Sequence, residues 1–117
     1  MKRIIDLGEK QVALEFNAAT PFVVKRMFDF DIFRFFKDSD GMDVFERIPN
    51  LEKLTYAMAM QAEFPLREAM EKGDGFLEWA SGFDFDEMTG KLVEAAVDMW
   101  LHGNKPSSEP KNGQGPQ

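Results

Sequence analysis

Few residues in this chain have a type and spacing that could support chemistry. Gly90-Lys91 resembles the end of a phosphate-binding loop, but that motif needs glycine and then serine or threonine where this chain has Phe85 and Leu92. His102 is the only histidine, and it lies where a cation suits the C-terminal end of a helix. We interpret it as a helix-capping residue and predict neither a histidine-containing triad nor a multi-histidine metal site.

The acidic runs suggest calcium loops at first, but they lack the rest of that pattern. Asp38 and Asp40 precede Gly41, and Asp84 and Asp86 lie close together, yet neither run has glycine at its sixth position and glutamate at its twelfth. We interpret them as a solvated turn and a helix start. No carboxylate pair stands out as a general acid and base. The sequence therefore predicts a protein that is not an enzyme and that binds no metal and no cofactor.

The composition indicates one folded domain and argues against two classes of partner. Of the 117 residues, 44% are hydrophobic and 30% are charged, as in globular proteins. The 21 acidic and 14 basic residues give a formal charge of −7, which repels phosphate backbones and anionic lipid surfaces. We therefore expect no binding to nucleic acid or to membranes.

Three further features favour a cytoplasmic protein. The chain has no cysteine, which fits a reducing compartment. Its first residues reach Asp6 and a turn at residues 8–10 before the apolar run of a signal peptide can form. No stretch approaches the roughly 20 apolar residues of a membrane-spanning helix.

Residues 2–17 have the period-two pattern of a β-hairpin. Val12, Leu14 and Phe16 alternate with more polar positions, and the glycine of residues 8–10 suits a tight turn. A lone hairpin is only marginally stable in water, so its apolar face must pack on other elements. We expect helices to cover it.

The remaining elements are predicted to be helices within residues 20–102. Thr20 is expected to cap the first, with Pro21 at its first helical position. Residues 28–33 alternate like a strand, but the apolar residues within 32–36 favour a short helix there.

A proline then divides the middle of the predicted helical region. Residues 42–48 are predicted to form a short helix that ends before Pro49, and Asn50 is expected to cap the next one. The last helix should begin near Asp84.

The predicted fold class is α+β, mainly α, with an N-terminal β-hairpin packed on a small multi-helix domain. Residues 1–103 form the single domain. Residues 104–117 contain only Gly, Pro, Ser, Asn, Gln and a few charged residues. This composition predicts a disordered polar tail.

Large apolar side chains are unusually frequent, with twelve Phe and eight Met, and six of the Phe lie between Phe22 and Phe36. Most must fill the core of a small helical domain. Others could line an exposed patch, because Phe and Met together make adaptable surfaces for helical or partly folded clients. Short helical pieces rarely bury every apolar side chain. The predicted partner-binding residues, chosen from such pieces, are Phe30, Phe33, Phe36, Trp79 and Phe83.

The order of elements and several short segments resemble those of one protein family. The segments are Leu14-Glu15-Phe16-Asn17, Leu51-Glu52-Lys53-Leu54-Thr55-Tyr56-Ala57-Met58-Ala59, Phe76-Leu77-Glu78-Trp79, Gly82-Phe83-Asp84 and a final helix ending in Trp100. Over about residues 1–105 the chain is similar to the tail assembly chaperones of long-tailed bacteriophages and prophages. The resemblance implies a chaperone that binds the tape measure protein, keeps it soluble and promotes assembly of the tail tube around it.

Two more properties follow from this resemblance. Such chaperones are absent from the mature virion, and many are also made in a longer form by a ribosomal frameshift near the end of the short reading frame. Here Pro110-Lys111-Asn112 could be encoded by a slippery codon run, and the added domain could contact the tail tube protein. Independently of the resemblance, the apolar patch predicts weak homo-oligomerisation.

Two alternative functions remain open at this point. An acidic inhibitor or DNA mimic could use the charge of −7 as a decoy for a nucleic-acid-binding enzyme. The basic residues of this chain are interspersed with the acidic ones, which argues against a surface with charges of only one sign. A structural head or tail connector subunit would differ by remaining in purified virions.

Overall fold

The computed structural model describes residues 1–41 and 43–103. Strands Lys2–Asp6 (β1) and Gln11–Glu15 (β2) form an antiparallel hairpin. The α-helices are, in chain order, Thr20–Phe28 (α1), Ile32–Asp38 (α2), Val44–Glu63 (α3), Leu66–Met70 (α4), Phe76–Ala80 (α5), Phe85–Glu87 (α6) and Glu94–Gly103 (α7). A π-helical segment, Met88–Val93, joins α6 to α7. The α+β, mainly α fold with an N-terminal hairpin is therefore confirmed.

The hairpin forms where the alternating pattern predicts it. The Leu7 N–H donates to the Lys10 carbonyl at 2.9 Å, so the turn has two residues between them. Gly8 has a φ of +99°, which only glycine adopts easily. Leu14 is fully buried on the inner face, whereas Ile4 is exposed on the outer face. Burial of one face fixes the register, because a slip by one residue would expose Leu14.

Helix α3 is the central element of the core. Seven consecutive residues, from Leu54 to Met60, are buried. An amphipathic helix buries only one stripe, so burial around the whole helix means that neighbours cover every side. Helix α3 packs against β2, α1, α5 and α7. Each fully buried Leu or Met contributes about 1.5–3 kcal/mol of hydrophobic free energy.

The predicted helix break at Pro49 is wrong. Helix α3 runs from Val44 to Glu63 through Pro49, and Asn50 lies inside the helix and does not cap it. A proline inside a helix costs about 3 kcal/mol, since it removes one backbone hydrogen bond and crowds the preceding turn. Pro49 is exposed and precedes the buried part of α3. The packing of that buried part outweighs the local cost.

The predicted capping role of Thr20 is also wrong. Residue 19 occupies the cap position of α1 without a side-chain cap bond, and Thr20 is the first helical residue. Thr20 is fully buried, and its hydroxyl donates to Gln61 Oε1 at 2.8 Å while accepting from the Asn17 N–H at 3.0 Å. A buried hydroxyl must be paired, and here the pairing joins α1 to α3.

Within the described ranges, no helix has both the length and the apolar character needed to cross a bilayer. The predicted disordered tail, residues 104–117, lies outside the described residues.

Candidate functional site

An aromatic platform forms where α2 meets the end of α7. The Phe36 ring stacks on the Trp100 ring with centroids 5.1 Å apart. The ring centroids of Phe33 and Phe16 lie 5.2 and 5.6 Å, respectively, from that of Trp100. Trp100 itself is buried, but Phe33 remains 55% exposed. Phe33 therefore rests on a fixed support and presents much of its surface to solvent.

A second phenylalanine is exposed on the neighbouring helix α1. The inner face of this helix consists of Thr20, Val23, Val24 and Met27, whose spacings of three and four residues define one stripe. Phe22 lies outside that stripe and is 68% exposed. Helix α1 thus uses its stripe for the core and leaves a large aromatic ring on its outer side.

Two adjacent cavities surround these phenylalanines and share Pro21 and Phe33. One has a volume of about 510 Å³, and the other about 290 Å³. We call them together the α1–α2 groove; its lining residues are Met1, Phe16, Asn17, Ala18, Pro21, Phe22, Lys25, Asp31, Phe33 and Gly103. Its volume falls within the range in which proteins bury ligands or side chains.

Gly103 forms part of the wall of the groove, and its backbone lies very close to the Phe16 ring. A Cβ atom at this position would lie 2.0 Å from Cε2 of the Phe16 ring. The last residue of α7 therefore approaches the ring through its bare backbone. This close approach links the C-terminal end of α7 to the end of β2, where Phe16 follows Glu15.

Two acidic side chains beside the groove have local roles. The Asp31 carboxylate caps α2, accepting the N–H groups of Phe33 at 3.0 Å and Arg34 at 3.2 Å. Asp29 Oδ1 lies 3.1 Å from Lys25 Nζ. The first contact fixes the start of the helix that carries Phe33, and the second partly offsets the charge of Lys25.

Comparisons of the chain with family models, with curated proteins and with solved structures found no match. What the groove can bind therefore follows only from its own geometry.

Of the five predicted partner-binding residues, Phe33 lines the groove. Phe36 does not line it; its ring is half-buried and stacked on Trp100. Phe30 is half-buried, with its ring 6.4 Å from that of Phe35. Phe33 and Phe36 therefore both pack on Trp100, whereas Phe30 lies at the edge of the hydrophobic core.

Trp79 and Phe83 form a separate pair. Their ring centroids are 4.9 Å apart, and Trp79 also lies 5.2 Å from the ring of Tyr56. Lys10 Nζ lies 4.3 Å from the centre of the Phe83 ring and donates a 2.6 Å bond to the Gly82 carbonyl. Both rings are half-buried. Their contacts tie the hairpin turn and α5 to the core, and neither residue lines the groove.

Sequence reasoning missed several groove residues, above all Phe22 and Pro21. A signal for Phe22 was present, since it falls outside the three-and-four spacing of the apolar stripe of α1. No comparable signal marked Phe16 or Gly103, because their contact joins residues that are far apart in the sequence.

The titratable groups with shifted pKa values lie outside the groove. Burial, followed by the charges of Asp74 and Glu63, raises the pKa of Tyr56 above 10.0. Its hydroxyl donates to the Lys72 carbonyl at 2.5 Å. Burial also raises the pKa of Glu52 above 4.5. In the described part of the chain, no three His, Cys, Asp or Glu side chains are placed to hold a metal ion.

Proposed function

We propose that the α1–α2 groove binds an apolar helical segment of a client protein, and that the chain acts as a phage tail assembly chaperone. The observation that carries this proposal is the exposure of Phe22 and Phe33, at 68% and 55%, beside one groove. Large exposed aromatic side chains that border a concavity are typical of protein-binding surfaces.

The geometry suits a helix better than a small polar ligand. Phe22 and Phe33 flank a groove whose other residues are mostly apolar or small. An amphipathic helix places side chains at three- and four-residue spacing into such a groove. Full burial of one phenylalanine contributes about 1.5–3 kcal/mol. Two of them therefore provide a useful part of the affinity for a client segment.

The biological setting rests on the resemblance described above. In that setting the client is the tape measure protein, a long helical and apolar chain that must stay soluble until the tail tube assembles around it. The chaperone acts in the cytoplasm of the infected or lysogenic host and is absent from the mature virion. A frameshifted longer form would bind the tail tube protein through a domain added at residues 104–117, which lie outside the described residues.

Co-expression with the long, helix-rich protein encoded just downstream tests this proposal. The wild-type chain should keep the client soluble and co-purify with it. The double variant Phe22→Ser, Phe33→Ser should lose both effects because the groove loses its two exposed rings. Leu77→Ser is the matched control, since Leu77 is 76% exposed and does not line the groove. A wild-type chain that neither binds the client nor changes its solubility would contradict the proposal.

A second candidate function is favoured by the excess of acidic residues in one part of the chain, although basic residues are interspersed among them. Residues 43–103 contain thirteen acidic and five basic residues. An acidic inhibitor or DNA mimic would use these carboxylates to occupy the nucleic-acid site of an enzyme. It would be displaced by added DNA, and Phe22→Ser would leave it active. The chaperone proposal predicts the opposite on both counts.

A further inference from the structure

Charge is divided unevenly between the part of the chain that builds the groove and the rest. Residues 1–40 contain seven basic and seven acidic residues, whereas residues 43–103 contain five and thirteen. Helices α1 and α2 belong to the neutral part. All groove-lining residues except Gly103 also belong to this part, and the charges at the rim of the groove decide which partner charges it favours.

Three basic side chains follow the exposed phenylalanines on the same two helices. Arg26 lies one turn beyond Phe22, and Lys37 lies one turn beyond Phe33, each about 40° around its helix from the ring. Arg34 directly follows Phe33. All three are exposed, and they form no ion pair within residues 1–41 and 43–103. They are available to a bound partner.

The acidic residues near the groove offset this positive charge only in part. Asp29 is paired with Lys25, and the Asp31 carboxylate is bonded to two backbone N–H groups. Asp38 lies about 140° around α2 from Phe33, away from the exposed ring. At the other cavity, the N-terminal ammonium group is 3.5 Å from Glu15. Asp31 keeps its charge, but residues 20–38, which include α1 and α2, have four basic and three acidic side chains, so their net charge is positive.

We infer that the segment bound in the α1–α2 groove is an apolar helix with Asp or Glu along the edges of its apolar face. This inference rests on the proposed function and adds the chemistry of the client to it. Apolar side chains of the helix cover Phe22 and Phe33, and its edge carboxylates pair with Arg26, Arg34 and Lys37. The overall charge of −7 does not reverse this preference. At physiological ionic strength, charges more than about 8 Å apart are largely screened.

Binding of three labelled peptides to the full chain tests the inference by fluorescence anisotropy. The peptides are helices of about 18 residues, or five turns, with one shared Leu and Phe face. Their edge positions carry Glu, Gln or Lys. The Glu peptide should bind roughly tenfold more tightly than the Lys peptide, as expected when two or three exposed ion pairs become repulsive contacts. The difference should shrink at high salt.

A charge reversal on the protein locates the effect. The double variant Arg34→Glu, Lys37→Glu should abolish or reverse the preference for the Glu peptide. Lys91→Glu is the control, because Lys91 is exposed in the π-helical segment and does not line the groove. That variant should leave the preference unchanged.

The outcomes separate this inference from the proposed function. If all three peptides bind equally and Phe33→Ser abolishes their binding, the groove binds apolar helices and the preference for acidic edges is refuted. If the Lys peptide binds most tightly, the inference is refuted in the same way. If none of the peptides binds, both the groove's function and the inference are overturned.

Discussion

Two aromatic clusters in this protein have similar ring contacts, but only one of them contains a largely exposed ring. In the core cluster, Tyr56 lies 5.6 Å from Phe76 and 5.2 Å from Trp79. In the groove cluster, Trp100 lies 5.1–5.6 Å from its three neighbouring phenylalanines. Tyr56 is only 2% exposed, whereas Phe33 is 55% exposed. Contact between rings therefore does not reveal whether a ring serves the core or a surface.

The difference comes from the elements around each cluster. The core cluster contains rings from α1, α3 and α5, so its members face one another across several elements. The groove cluster lies where α7 ends at Gly103, and Trp100 of α7 contacts Phe33 of α2 on one side only of its ring. The core cluster should therefore govern stability, and the groove cluster should govern binding.

The largest expected effect is on stability in the core cluster. Phe76→Ala should lower the free energy of unfolding by about 3–5 kcal/mol, because it leaves a cavity among buried rings. Phe22→Ala should lower it by less than about 0.5 kcal/mol, as is usual for an exposed position. Urea unfolding followed by circular dichroism measures both. Equal losses would remove the distinction between the core cluster and the exposed edge of the groove.

The next effect is on binding in the groove cluster. Phe33→Ser should weaken client binding roughly thirtyfold, as for a residue that contributes about 2 kcal/mol at an interface. Its loss of contact with Trp100 should cost only about 1 kcal/mol of stability. Titration of the client by anisotropy gives the first value and urea unfolding gives the second. A variant that binds normally would show that Phe33 is not part of the interface.

A smaller effect is expected for the polar tip of the core cluster. Tyr56→Phe removes the hydroxyl that donates to the Lys72 carbonyl and keeps the ring. The free energy of unfolding should fall by about 1 kcal/mol, the usual net value of one such bond. Client binding should not change, since Tyr56 does not line the groove. Weakened binding at unchanged stability would place Tyr56 in the interface and contradict the division of roles.

The smallest effect concerns Glu52, which belongs to neither cluster. Burial raises its pKa in the folded chain above 4.5, so the folded state disfavours the charged carboxylate. This cost is fully present above the folded-state pKa and disappears as the pH falls below about 4.5. Glu52→Gln should therefore raise the unfolding midpoint slightly at pH 7 and have less effect at pH 4. The opposite pH trend would show that the carboxylate gains a favourable partner on folding.

The sequence predicts those parts of the fold in which local pattern and packing agree. The alternation of Val12 and Leu14 indicates strand β2 because one face of the hairpin is buried. The apolar spacing of residues 32–36 indicates α2, which Asp31 caps as its side chain allows. These features depend on neighbours within a few residues.

The errors arise where distant residues decide the outcome. Pro49 does not end α3 because burial from Leu54 onwards stabilises the whole helix. Thr20 does not cap α1 because Gln61, forty-one residues later, binds its hydroxyl. The groove likewise depends on the approach of Gly103 to Phe16. The five predicted partner-binding residues include Phe33 but not Phe22. The position of Phe22 outside the apolar stripe of α1 could have indicated from the sequence that its ring is exposed.

The most direct test of the central claim is photo-crosslinking in the complex with the client. A benzophenone side chain is placed at the position of Phe22, and at that of Leu77 as the control. Binding through the α1–α2 groove predicts crosslinks from the first position to an apolar helical segment of the client, and none from the second. A complex that forms without crosslinks at the first position, or with equal crosslinks at both, would contradict binding through the groove.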